Sequence, residues 1–103
     1  TGLTTALYKI GEYEFDVANQ KLTYGEHERY LTEMETHLLR LFCEKKGQLL
    51  PRQEVLQTLW GKNDYFTRRS MDVFISRLRK YLAEDERIQI TNVHGSGFIL
   101  QDE

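Results

Sequence analysis

The stretch RRSMDVFISRLRKY, residues 68–81, differs in charge from the rest of the chain. Five arginine or lysine side chains stand there against a single acid, Asp72, although the 103-residue chain carries a formal charge of −2. Apolar residues recur at helical spacing and predict one buried stripe, made of Met71, Ile75, Leu78 and Leu82. A cationic helix on an otherwise acidic domain is typical of a surface that binds a polyanion.

The face opposite this stripe is predicted to be narrow and polar. By the 100° step of a helix, it contains Arg69, Val73, Ser76, Arg77 and Lys80. Arginine donates hydrogen bonds in a planar fork that suits phosphates and guanine edges. The small residues between the cations allow the helix to lie deep in a groove. The plainer alternative is a solvated surface without a ligand.

A short hairpin follows the basic helix. Two strands, at 88–93 and 98–101, flank a His-Gly-Ser-Gly tip. The two glycines could serve only the tight turn, or His94 or Ser96 could also touch a sugar-phosphate backbone. A basic helix followed by a glycine-tipped hairpin predicts a winged helix-turn-helix.

The residues before the basic helix predict a sheet and two further helices. Residues 7–31 alternate apolar and polar side chains between turn residues, which indicates a small antiparallel meander. Thr32 and Glu35 form a capping box that starts an amphipathic helix. A second helix is predicted over residues 52–60, and loop 61–68 leads into the third helix.

Composition and motifs exclude several classes of protein. The chain has the length of one domain, one cysteine and hence no internal disulfide, and no apolar run of the roughly 18 residues that a membrane span needs. His27, His37, His94 and Cys43 lack the close-paired spacing of zinc ligands. Phosphate loops and nucleophile motifs are absent as well, so we predict no enzyme, no metal and no cofactor.

The N-terminal residues TGLTTA contain neither an initiator methionine nor a secretion signal. We expect residues 1–6 to be a linker remnant or a cloning artefact, and residues 7–103 to be one domain of a longer protein. The pI of about 5.9 argues mildly against nucleic acid. Salt screens the charge of acids that lie more than roughly 8 Å away. The local basic patch therefore determines whether this surface attracts nucleic acid.

Four stretches resemble motifs of the C-terminal effector domains of OmpR/PhoB-type response regulators, the output halves of bacterial two-component systems. The family's first helix has the motif Leu-Thr-x-x-Glu-x-x-Leu-Leu, similar to YLTEMETHLLRLF (30–42), and its second has Ser-Arg-Glu-x-Leu-Leu-x-x-x-Trp-Gly, similar to LPRQEVLQTLWG (50–61). Its recognition helix, Arg-Thr-Val-Asp-Val-His-Ile-x-x-Leu-Arg-x-Lys-Leu, is close to RRSMDVFISRLRKYL (68–82). Its wing, Thr-Val-Arg-Gly-x-Gly-Tyr-x-Leu, looks like ITNVHGSGFIL (90–100). The likeness covers residues 7–101, and the last two motifs are the specific ones.

The resemblance implies an α+β winged helix-turn-helix with an N-terminal four-stranded antiparallel sheet, three helices and a C-terminal wing hairpin. Recognition helix 69–82 would enter the major groove of double-stranded DNA, and wing 88–101 would lie over the adjacent minor groove. The residues predicted to contact DNA are Trp60, Arg69, Ser70, Val73, Phe74, Ser76, Arg77, Arg79, Lys80, Asn92 and His94.

The family pattern also implies a role for most of these residues. Arg69 and Arg79 would hold phosphates, and base edges would be faced by Ser70, Val73 and Arg77. The tryptophan and the asparagine match positions that touch the DNA backbone, although by spacing alone the tryptophan is equally a core anchor.

Five positions depart from the family pattern. The wing arginine is His94, the wing tyrosine is Phe98, and the helix histidine is Phe74. A common second helix cation is Ser76, and the serine that caps the second helix is Pro51. We therefore expect fewer phosphate contacts, and weaker binding by the isolated domain, than the family average.

The resemblance further implies a set of partners. These are direct-repeat DNA, a homodimer, an N-terminal receiver domain controlled by phosphorylation, and RNA polymerase at loop 61–68, all in a bacterial cytoplasm. Two rival interpretations remain: a winged helix that binds protein through its basic helix, and an unrecognised enzyme. Strong salt dependence of DNA binding would argue against the first.

Overall fold

A computed structural model of the chain describes residues 7–102. The predicted linker segment 1–6 lies outside the described residues. The described part contains, in chain order, β1 (Leu7–Ile10), β2 (Tyr13–Asp16), β3 (Lys21–Tyr24), β4 (His27–Tyr30), α1 (Glu33–Glu44), β5 (Leu49–Pro51), α2 (Arg52–Leu59), α3 (Tyr65–Tyr81), β6 (Gln89–Val93) and β7 (Gly97–Gln101).

The N-terminal strands form the predicted antiparallel meander, in the order β1-β2-β3-β4. Alternate residues point to one face, and that face buries Ile10, Tyr13, Phe15 and Leu22. The sheet also holds the end of α3, since the Tyr13 hydroxyl accepts a hydrogen bond from the Glu84 amide at 3.1 Å. The sheet is therefore part of the support that fixes the basic helix.

The capping box predicted for the first helix is present at the start of α1. The Glu35 amide donates to the Thr32 hydroxyl at 3.2 Å, and the Thr32 amide donates to a carboxylate oxygen of Glu35 at 3.0 Å. Leu38, Leu39 and Phe42 then turn into the core. Next to them, burial raises the pKa of the Cys43 thiol to about 12, as expected for a small apolar packing residue.

Helix α3 begins at Tyr65 and not at residue 69, so the predicted loop 61–68 was wrong in extent and shortens to residues 61–64. The reason is a second capping box. The Thr67 amide donates to the Asp64 carboxylate at 2.9 Å, and the Asp64 amide donates to the Thr67 hydroxyl at 3.0 Å. At the other end the helix stops at Tyr81, one residue before the predicted end.

The C-terminal hairpin belongs to a three-stranded sheet with the order β5-β7-β6. Strand β5 was not predicted, because three residues ending in a proline give no alternation to detect. Gly97 opens β7 where β5 crosses closest, and a Cβ there would collide with the carbonyl oxygen of Leu50. This close approach requires glycine and holds the tip end of the hairpin against β5, directly before α2.

Candidate nucleic-acid interface

The basic helix turns its cations outward, as its spacing predicts. The apolar stripe is buried, with Met71, Ile75 and Leu78 each at most 2% exposed. The opposite face is exposed and contains Arg69, Val73, Ser76, Arg77 and Lys80. The sequence therefore predicted the helix phase correctly, and the exposed stripe carries three cations with Val73 and Ser76 between them.

Ser70 and Phe74 flank this stripe and are half-buried. The Phe74 ring packs against Trp60, with ring centroids 6.1 Å apart. Trp60 is itself half-buried at the end of α2. It is thus both a packing residue and partly accessible beside the basic helix, which is compatible with both of its predicted roles.

The single acid of the basic stretch, Asp72, lies on the side of α3 towards α2. Its carboxylate accepts a hydrogen bond from the Arg52 guanidinium at 3.2 Å. Arg52 also lies over the ring of Phe98, 5.1 Å from its centroid. The negative charge is thus compensated locally, which keeps the exposed stripe of α3 positive.

Arg77 has a partner from a different helix. Its guanidinium lies 3.7 Å from the buried carboxylate of Glu35 in α1, and 5.1 Å from the centroid of the Phe74 ring. The Arg77 side chain remains half exposed. The residue predicted to read a base is therefore held from behind while part of it faces solvent.

Arg79 connects the helix to the hairpin. Its Nε and Nη2 both donate to the backbone carbonyl of Ile90 in β6, at 3.1 and 2.8 Å. Three of the five donors of an arginine remain for another ligand. Arg79, predicted to hold a phosphate, thus also has a structural role that sequence reasoning missed.

The two predicted wing residues are on the exposed side of the hairpin. Asn92 is in β6, and His94 is in the turn between β6 and β7. The turn is closed by a hydrogen bond from the Ser96 amide to the Val93 carbonyl at 2.9 Å, and Gly95 adopts a φ of 71°. The structure therefore presents both side chains on the element that Arg79 attaches to α3.

Two exposed aromatic residues at the start of α3 were also missed. Tyr65 is 57% exposed and Phe66 is 75% exposed, and their rings meet edge to face with centroids 5.5 Å apart. Arg69 donates to the Tyr65 hydroxyl at 3.2 Å. The signal that could have found them is Asp64, whose helix-capping role places both rings on the first turn.

None of the helices over residues 7–102 combines the length and apolar character that a membrane crossing requires. In the same range, histidine, cysteine and acidic side chains do not gather into a group that could hold a metal ion.

Comparison with known proteins places these features in a family. Residues 26–100 match the family described as "Transcriptional regulatory protein, C terminal". The chain is 44% identical over 94 residues to the transcriptional regulatory protein RprY of Bacteroides fragilis, which covers 91% of this chain and 40% of that protein. The chain thus spans about two fifths of the length of such relatives.

Solved structures show the same architecture. The DNA-binding domain of Klebsiella pneumoniae RstA, determined in complex with the RstA box, superposes with a TM-score of 0.78 at 27% identity, covering 94% of this chain and 98% of that chain. The DNA-binding domain of CpxR from E. coli superposes with a TM-score of 0.81 over 95% of this chain and 99% of that chain; at 22% identity it supports the fold alone.

These matches confirm the α+β winged-helix architecture with its four-stranded sheet, three helices and hairpin. They also confirm the predicted class of the chain, a DNA-binding domain of transcriptional regulators and not an enzyme. The chain belongs to the family of C-terminal DNA-binding output domains of OmpR/PhoB-type response regulators.

Proposed function

We propose that this domain recognises specific DNA sites, with α3 in the major groove and wing 88–101 over the adjacent minor groove. The observation that carries the proposal is the exposed cationic stripe of α3, fixed beside the hairpin by the two hydrogen bonds from Arg79 to the Ile90 carbonyl. An exposed helix bearing arginines is the element that fits a major groove, and a hairpin held beside it reaches the next groove.

Individual roles follow from the positions of the side chains. Val73, Arg77 and Ser70 lie on or beside the exposed stripe of α3 and are proposed to face base edges. Arg69 and the remaining donors of Arg79 are proposed to hold phosphates.

The flanking contacts are proposed on the same basis. Lys80 and Ser76 belong to the exposed stripe and suit the DNA backbone, and Phe74 supports the stripe as a packing surface. Trp60 and Asn92 are proposed to touch the sugar-phosphate backbone. His94 is proposed to approach the minor groove at the tip of the wing.

The whole protein is proposed to act as a response regulator in the bacterial cytoplasm, with a phosphorylated receiver domain promoting a homodimer on direct-repeat DNA. The curated relative RprY is about two and a half times as long as the matched region. An RNA polymerase contact at residues 61–68 is supported by a specific observation: this segment exposes the adjacent rings of Tyr65 and Phe66, and exposed aromatic rings are common anchors in protein interfaces.

The test is to select binding sites from random-sequence DNA and to measure affinity for the selected site and for random DNA at several salt concentrations. The proposal predicts a preference for the selected site and an affinity that falls steeply with salt, because binding releases counterions from the phosphates. If no site is enriched and binding is insensitive to salt, the protein-docking interpretation of the basic helix replaces this one.

A further inference from the structure

One buried carboxylate connects the start of α1 to the DNA-facing helix. Glu35 is 3% exposed, and its Oε1 accepts the Thr32 amide at 3.0 Å. Its Oε2 accepts the Tyr81 hydroxyl at 2.9 Å and lies 3.7 Å from Nη1 of Arg77. The same side chain thus caps one helix and faces two residues of another.

These contacts fix the orientation of the carboxylate. A buried charge is stable only when its lone pairs are satisfied and a countercharge is near. Here the backbone of Thr32 satisfies one oxygen, the phenol of Tyr81 satisfies the other, and Arg77 supplies the positive charge. With both oxygens engaged, the Glu35 carboxylate has a defined orientation beside Arg77.

Tyr81 is itself held in place. The Arg29 guanidinium packs over the Tyr81 ring, 4.4 Å from its centroid, which favours this position of the ring. Burial, followed by the hydrogen bond to Glu35, raises the pKa of Tyr81, so its hydroxyl remains a neutral donor at physiological pH. The phenol therefore acts as a constant support for the carboxylate.

Arg77 is restrained on two sides by this arrangement. One part of its guanidinium faces Glu35, and its Cζ lies over the Phe74 ring, 5.1 Å from the ring centroid. The side chain is nevertheless half exposed. Because a guanidinium has five donors in a rigid fork, engagement with one carboxylate leaves donors free for a base.

We infer that Glu35 and Tyr81 are positioning residues for Arg77: they hold its guanidinium from behind so that its free donors meet a base edge. The inference rests on the proposed function. Neither residue touches DNA; both act by reducing the number of orientations that Arg77 must give up when it binds. In the rival arrangement, Glu35 sequesters Arg77 from DNA. That arrangement predicts that removing the Tyr81 hydroxyl raises the affinity for DNA.

The experiment uses Tyr81→Phe, which removes one hydroxyl and keeps the packed ring. We expect an approximately 3- to 10-fold loss of affinity for the selected site, in the range of one net hydrogen bond, and little change on random DNA. In an Arg77→Ala background, Tyr81→Phe should cause no further loss, because the residue acts through Arg77. Glu35→Gln keeps an acceptor for the Thr32 amide but removes the charge. It should likewise lower the preference for the selected site over random DNA.

Tyr24→Phe is the matched control. Its hydroxyl also bonds to the end of the α3 region, at the Glu84 carbonyl 3.4 Å away, but does not contact Glu35. This variant should leave the preference for the selected site unchanged.

Three results would overturn the inference. They are a Tyr81→Phe loss of the same size in the Arg77→Ala background, an equal loss on selected and random DNA, and a gain of affinity, which would establish sequestration. If the unaltered chain selects no site at all, the proposed function fails together with the inference; a selected site without coupling between Tyr81 and Arg77 refutes the inference alone.

Discussion

The recognition helix α3 and the wing hairpin, residues 88–101, lie side by side but differ in charge. The helix carries Arg68, Arg69, Arg77, Arg79 and Lys80, whereas the wing contains no lysine, arginine, aspartate or glutamate. The permanent positive charge of the proposed interface therefore comes from one element. The wing can add polar and backbone contacts, and a charge only through a histidine.

The wing also lacks an accessible aromatic hydroxyl. Phe98, at the position where the resemblance implies a tyrosine, is 2% exposed and packs against Phe42 with ring centroids 6.2 Å apart. It is a core residue and cannot reach a phosphate. We therefore expect the helix to provide most of the binding energy and the wing to modulate it.

The largest expected effect comes from the buried side of the helix. Leu78→Ala should lower the free energy of unfolding by about 2–5 kcal/mol, because the 0% exposed side chain leaves a cavity in the core. Chemical denaturation measures it. A loss below about 1 kcal/mol would mean that the helix does not depend on this stripe for its position.

The joint between helix and wing gives the next prediction. Arg79→Lys keeps the positive charge but loses the fork that donates twice to the Ile90 carbonyl. The free energy of unfolding should therefore fall by about 1–2 kcal/mol. Denaturant unfolding checks this, with Arg68→Lys, an exposed arginine of the same helix, as the control. If stability is unchanged while the affinity for DNA falls, Arg79 is chiefly a phosphate ligand, because lysine keeps the charge but loses the planar fork of donors.

The segment between helix and wing should respond to acid. Hydrogen bonds from Arg87, and then from the Glu12 amide, lower the pKa of Asp85 to about 2. Because an unfolded aspartate has a pKa of about 3.9, the stabilisation is present above that pH and is lost as the pH falls towards 2. Stability of Asp85→Asn should thus fall less between pH 5 and pH 2.5 than that of the unaltered chain.

The control for this acid response is Glu14→Gln, an exposed acid in β2. Thermal unfolding at a series of pH values compares the three proteins. Parallel curves for the unaltered chain and Asp85→Asn would show that this carboxylate does not couple the sheet to the end of α3.

The smallest effect is expected at the tip of the wing. A histidine side chain adds a cation as the pH falls through its titration range, so lowering the pH from about 7.5 to 6 should tighten DNA binding more in the unaltered chain than in His94→Ala. His94→Arg should raise affinity at pH 7.5 by supplying a fixed charge. If binding titrations show neither change, the wing does not touch DNA and the helix alone forms the interface.

The sequence predicted the elements whose position depends on residues close together in the chain. The period of Met71, Ile75 and Leu78 fixed the phase of α3, and the Thr32–Glu35 pair fixed the start of α1. The start of α3 was missed because its cap pairs an aspartate with a threonine, a weaker signal than threonine with glutamate.

Contacts distant in sequence were not predictable in the same way. Arg77 and Glu35 meet only because α1 and α3 pack together, and spacing along one helix cannot reveal a partner on another. The double hydrogen bond from Arg79 to the Ile90 carbonyl likewise depends on where the hairpin docks. Side-chain type indicated which residues can bind DNA, and only the fold shows what supports them.

The most direct test of the account is Arg77→Ala, with affinity measured on the selected site and on random DNA. If α3 reads sequence through Arg77, the selected site should lose about 1–3 kcal/mol of binding free energy while random DNA loses much less. Equal losses on both would contradict the account, because they would make Arg77 a phosphate contact without a role in specificity.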